Sequence, residues 1–131
     1  MAALINTKLD SYSFFDEVLP ADGDSLEARC SFASAPRFLL VEAMAQLASR
    51  HFRTACGPGR QTFLLKVRNI SPWREGAGLE GVYRLKAELL AKSRATGLYR
   101  VTAAASPGGP GVSGEFYISS MGREEFKDLT D

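Results

Sequence analysis

The chain has a single histidine, His51, and only two cysteines, Cys30 and Cys56, among its 131 residues. One imidazole and two thiols that fit neither a CxxC nor a paired zinc spacing argue against a protein-built metal cage, and no cofactor is expected. Both cysteines are expected to be reduced thiols. No apolar run approaches the roughly 20 residues that a bilayer crossing needs. The opening Met1 to Asp10 lacks the basic start and continuous apolar stretch of a secretory signal, so a cytoplasmic protein with no membrane contact is expected. Charge of one sign is also missing: sixteen Lys and Arg stand against fifteen Asp and Glu, a formal net charge of +1. That balance excludes a large one-signed field for gathering nucleic acid or anionic lipid, so any charged partner must meet a local patch.

What is present is a chain 45% hydrophobic and 24% charged, in the range of one domain over 1–131 with its own core. Ser13 to Leu19 and Ser25 to Phe32 read as strands separated by the turn formers Pro20, Asp22, Gly23 and Asp24. Ser34 then reads as a helix N-cap and Pro36 as an early helix residue, and Phe38 to Arg53 runs without Gly or Pro until Gly57, Pro58 and Gly59. At about 100° per residue, Leu40, Val41, Met44, Leu47, Ala48 and Phe52 share a broad apolar arc, with Glu42, Gln46, Ser49 and Arg53 on a narrow polar stripe opposite. So wide an arc predicts burial on several sides, as a sheet curling round the helix would provide.

After the helix the period changes to two. Leu79, Tyr83, Leu85, Ala87, Leu89 and Ala91 alternate with Glu80, Arg84, Lys86, Glu88 and Lys92, the pattern of a long strand with one buried and one wet face. Tyr99, Val101 and Ala103, then Val112, Phe116 and Ile118, repeat the theme, and Phe63, Leu65 and Val67 mark a strand before them. Gly122 to Asp131 reads as a charged, frayed tail. The expected fold is α+β: strand, strand, helix and four more strands, an antiparallel sheet wrapped round one long helix. Such a sheet has two edges, and pairing between two copies of the chain is the simplest way to cover them, so a homodimer is expected.

At Leu39 to Gln46, Leu-Leu-Val-Glu-Ala-Met-Ala-Gln, the chain resembles the central-helix motif of the beta-hydroxyacyl carrier-protein dehydratases, which have the hot-dog fold. Phe15 to Leu19 resembles that family's first strand, and Phe63 to Gly76, with Asn69, Pro72 and Gly76, resembles its strand and Pro-Gly turn after the helix. In order and spacing the similarity covers Ser13 to Ser120. The resemblance implies an acyl thioester substrate on acyl carrier protein or coenzyme A, and a reaction run by a helix carboxylate from one subunit with a His from its neighbour. Here the carboxylate is Glu42. The family's His-Phe-Pro-Gly loop is replaced by the shorter Cys30 to Arg37; setting Phe32 on the motif's Phe places Ser31 where the His would stand. A serine hydroxyl neither takes an alpha proton nor protonates a departing hydroxyl well at neutral pH.

Other candidates come from the residues themselves. By periodicity alone Glu42 belongs to the solvated stripe, yet Phe38, Leu39 and Ala45 beside it would desolvate the carboxyl and raise its pKa. Gln46, one turn on, either orients that carboxylate or faces solvent. His51 lies about 180° round the helix from Glu42 and roughly 13 Å further along it, which excludes a dyad within one chain and favours a packed or helix-end histidine. The first helix amides, around Pro36, Arg37 and Phe38, suit a thioester carbonyl whose oxygen gains charge; the bland alternative is capping by Ser34. Arg50, Arg53, Arg60, Lys66, Arg68 and Arg74 are either solvated cations or, with Arg53, Lys66 and Arg68 foremost, a docking patch for an acidic carrier or coenzyme A phosphates. Cys56 has no base near it in sequence and reads as incidental. Three functions follow: a dehydratase-like enzyme, a thioesterase in which Glu42 acts as base or nucleophile, or a silent acyl-thioester-binding protein.

Overall fold

Six antiparallel strands form one sheet in the order β1-β2-β4-β5-β6-β3. The computed structural model describes residues 15–19, 23–57, 59–72, 78–106, 108–109 and 111–122. The elements are β1 (Phe15–Leu19), β2 (Ser25–Ala35), α1 (Phe38–Cys56), β3 (Arg60–Ser71), β4 (Leu79–Lys92), β5 (Thr96–Ala105) and β6 (Gly111–Gly122). The predicted element order therefore holds. Residues 13–14, Pro20, Asp22, Pro58, the candidate cation Arg74, Gly76 and the tail beyond Gly122 lie outside the described residues.

The sheet encloses the helix because one face of each strand is apolar and the helix is apolar nearly all round. α1 packs against β2, β3, β4, β5 and β6. Leu40, Met44, Leu47 and Phe52 are fully buried, facing Leu85, Tyr99, Val101, Phe116 and Ile118 of the central strands in one core. Each such side chain contributes about 1.5–3 kcal/mol by leaving water. Ala43, Ala45 and Ala48 are also fully buried, and their small size lets strands approach on several sides.

The outer face of the sheet is polar and its charges alternate in register. Glu88 of β4 stands opposite Arg100 of β5, Arg100 opposite Glu115 of β6, and Glu115 opposite Arg68 of β3. Neighbours of opposite sign on one face are mildly favourable, and the row leaves no large single-signed field. Among the described residues no helix is long and apolar enough to cross a membrane.

Four local expectations need correction. Ser34 does not cap the helix: it lies in β2, three residues longer than predicted, and no side chain caps α1. Pro36 precedes the helix, its carbonyl accepting from the Leu39 amide at 3.1 Å. Ser49 is not on a solvated stripe but is buried, its hydroxyl 2.5 Å from that of Thr62 on β3. Leu65 is 53% exposed, because a bulge between Leu64 and Lys66 breaks the alternation and turns it out of the core.

Gly97 marks a close helix-to-sheet approach. A Cβ there would stand 2.9 Å from Phe52 Cε1 and 3.1 Å from Tyr99 Cε1, and both rings are fully buried. Gly97→Ala is expected to cost about 1–3 kcal/mol through overpacking. Urea denaturation should show a lower midpoint with an unchanged slope.

Candidate active site around Glu42

Glu42 sits in the second turn of α1 and is the helix's one acidic residue. Its Oε2 is buried, and among the described residues no hydrogen-bond donor reaches it. Burial raises the carboxyl's pKa above the ordinary carboxylate range. Ser49, seven residues on and so nearly in line with Glu42, bonds Thr62 of β3. The Glu42 line of the helix thus faces the side of the sheet that ends in strand β3. Gln46 follows Glu42 by one turn and is half-buried.

The helix start adjoins this carboxylate. Phe38 lies one turn before Glu42 on the same side and is 45% exposed. The first turn closes through Leu39 N–H to Pro36 O at 3.1 Å and Leu40 N–H to Arg37 O at 3.0 Å. Arg37, half-buried, occupies the N-cap position in helical conformation, and no side chain bonds the first amides from there.

Other predicted site residues lie elsewhere. Ser31 is exposed, out of phase with the buried Cys30 and half-buried Phe32, and its hydroxyl donates to Asp16 Oδ2 at 2.5 Å. The alternation of β2 therefore turns it to the sheet face away from α1. Lys66 and Arg68 also leave the outer face: the Lys66 ammonium stands 4.6 Å from the Tyr117 ring centroid, and Arg68 lies across from Glu115. Arg53 is on the helix, half-buried, so these three cations do not share one face.

His51 is a packed histidine. It is 9% exposed, with Nε2 2.8 Å from the Gly23 carbonyl and Nδ1 2.6 Å from the Tyr99 hydroxyl. A carbonyl only accepts, so Nε2 carries the proton and, in the neutral ring, Nδ1 accepts from Tyr99. Burial pushes the Tyr99 phenol well above its usual range, which keeps it a donor. Cys30 is likewise no nucleophile: burial, reinforced by Asp16, pushes its thiol up to about 12.

A helix clasped by an antiparallel sheet is an arrangement with known counterparts. The fold is the hot-dog fold. A solved thioesterase of Haemophilus influenzae superposes with a TM-score of 0.67 at 13% identity, over 82% of this chain and 78% of that one. A dehydratase heterocomplex of Xenorhabdus doucetiae gives 0.71 at 15% identity, over 90% and 89%. A hypothetical thioesterase of Streptococcus pneumoniae, solved with coenzyme A, gives 0.61 at 14% identity, over 83% and 89%. No family model and no curated protein matches the chain. At these identities the likeness is one of fold, and it spans thioesterases as well as a dehydratase.

Sequence reasoning missed one feature near the site. Glu80 Oε2 accepts from the Ser34 amide at 2.7 Å and from its hydroxyl at 3.3 Å. The two residues are 46 positions apart, and Glu80 had read as an ordinary wet-face residue of β4; no periodicity signals such a pair.

A carboxyl whose pKa is raised in the fold binds its proton more tightly there than in the unfolded chain. Its contribution to stability is therefore present below the unfolded pKa and is lost as pH rises through the folded one. Glu42→Gln is expected to melt above the wild type at pH 7, the difference shrinking as pH falls toward 4. Melting no higher than wild type at pH 7 would contradict a desolvated Glu42.

Proposed function

We propose that this protein hydrolyses acyl thioesters, with Glu42 as general base, in a site completed by a second copy of the chain. The observation that carries the reading is the buried Glu42 carboxylate oxygen without a donor, on the same side of the helix as the uncapped start of α1. Eliminating water from a 3-hydroxyacyl thioester needs both an acid and a base near the reacting carbons. The described residues of one chain bring Glu42 no such second group: both nitrogens of His51 are engaged elsewhere, and Ser31 leaves the far face of the sheet. Hydrolysis needs only one.

In that reaction Glu42 takes a proton from water as the water oxygen bonds the thioester carbonyl carbon. The carbonyl oxygen gains negative charge, which the first amides of α1 stabilise. The carbonyl then reforms, the carbon–sulfur bond breaks, and the proton held by Glu42 passes to the departing thiolate. The products are a carboxylic acid and a free thiol. A raised pKa makes Glu42 a stronger base, and the rate rises with pH as the group ionises.

Coenzyme A and carrier protein both present the acyl group on a phosphopantetheine arm. The coenzyme A bound to the Streptococcus pneumoniae protein supports the first carrier. Lys66 and Arg68, exposed together on β3, are the cations we assign to docking an acidic carrier, with Arg53 outside that patch. Dehydration stays as the second reading because of the Leu39–Gln46 resemblance. Saturated acyl-coenzyme A and 3-hydroxyacyl and enoyl carrier-protein thioesters separate the two when free thiol and double-bond absorbance are followed. Thiol release should fall at least about 100-fold in Glu42→Gln. Interconversion of hydroxyacyl and enoyl forms without thiol release would establish dehydration, and acyl binding with neither signal a silent binder.

We place the second copy on β3. It is an edge strand of twelve residues against five in β1, it carries the exposed Leu65, and the Glu42 line faces it. A long edge of unpaired amides and carbonyls with an exposed leucine is a template for another strand. Sedimentation should give a dimer for the wild type and a folded monomer for Leu65→Lys; a wild-type monomer would remove the composite site.

A further inference from the structure

We propose that Glu80 is the positioning residue of this site: its carboxylate holds the bulged end of β2 at Ser34 and thereby fixes where α1 begins and how its first turn, and Glu42 in the turn after it, are presented. The inference rests on the thioesterase reading for its kinetic consequence and on geometry alone for its structural one.

Phe32 pairs with Gly81 and Ala35 with Leu79, so two residues of β2, Ala33 and Ser34, stand opposite the single Glu80 of β4. The extra residue changes the phase of the strand. Ala28, Cys30 and Phe32 turn inward, and the next inward residue is Ala35 rather than Ser34; Ala35 packs on the core while Ser34 is exposed. A one-residue slip would reverse this, sending a serine into the core and the chain into α1 from the opposite face. Only Pro36 and Arg37 separate Ala35 from the helix, so little chain is left to absorb an error.

The bulge asks for an uncommon conformation. Ser34 has φ +53°, a region few residues with a Cβ adopt, and Gly81, opposite Phe32, has φ +95°. Glycine meets that demand at Gly81. At Ser34 the demand is met by Glu80, whose Oε2 accepts both the amide and the hydroxyl. A charged acceptor on a backbone donor is the stronger kind of hydrogen bond. The N-cap position itself falls three residues later, at Arg37, which makes no side-chain cap.

The test compares wild type, Glu80→Ala and the double variant Glu80→Ala with Ser34→Asn. Asparagine tolerates positive φ better than serine, so it restores the bulge without restoring the carboxylate. Amide hydrogen exchange needs no substrate: the Ser34 amide should exchange at least about 10-fold faster in Glu80→Ala because its acceptor is gone, while the first-turn amides of Leu39 and Leu40 should exchange faster in Glu80→Ala and recover in the double variant. Turnover of acyl-coenzyme A should lose about 10-fold in kcat with KM within about 2-fold, and the double variant should regain most of it. Unchanged exchange at Ser34 overturns the proposal, and so does a kcat loss that Ser34→Asn fails to rescue, since a carboxylate acting on substrate itself would not be replaced by a backbone preference. Exchange that responds as expected in a protein without thioesterase activity would uphold the clamp and overturn only the reaction assigned to the site.

Discussion

Enclosure of α1 by a curled sheet is the constraint from which the other features follow. A helix flat on a sheet buries one stripe; this one is packed by five strands, and even its small residues Ala43, Ala45, Ala48 and Ser49 are buried. Such surroundings tolerate few polar atoms, and those present are met: Ser49 by Thr62, His51 by Tyr99 and Gly23. Glu42 Oε2 is the exception among the described side chains of the helix. A buried carboxylate oxygen without a donor is costly, and that is why we propose the chemistry there.

The histidine illustrates how architecture restricts the available reaction. Its two nitrogens tie the helix to β5 and to the turn before β2, so the one imidazole in the chain is spent on holding layers together. That leaves Glu42 as the residue to which we assign proton transfer. The same fold elsewhere belongs to a dehydratase and to thioesterases, so the fold alone does not choose the reaction.

Irregularities in the strands do as much as their regular parts. The bulge at Leu64/Lys66 turns Leu65 outward on an edge strand, and the bulge between Phe32 and Ala35 re-aims the chain into the helix. One exposes a leucine on that edge, the other shifts the phase of β2 just before the helix. The in-register charges on the outer face leave that side of the sheet well solvated.

Periodicity alone determined the helix from Phe38, the long strand Leu79–Lys92, the inward sets on β5 and β6 and the wide apolar arc that required a wrapping sheet, because these patterns are repeated local choices between core and solvent. The packed role of His51 was also legible, since helix geometry set it far from Glu42. Only the tertiary structure decided that Ser34 lies in a strand and answers to Glu80, that Ser31 turns away from the helix and that Leu65 is exposed. Each depends on a bulge or on a partner many residues distant, and a single extra residue reverses the phase on which every pattern argument rests.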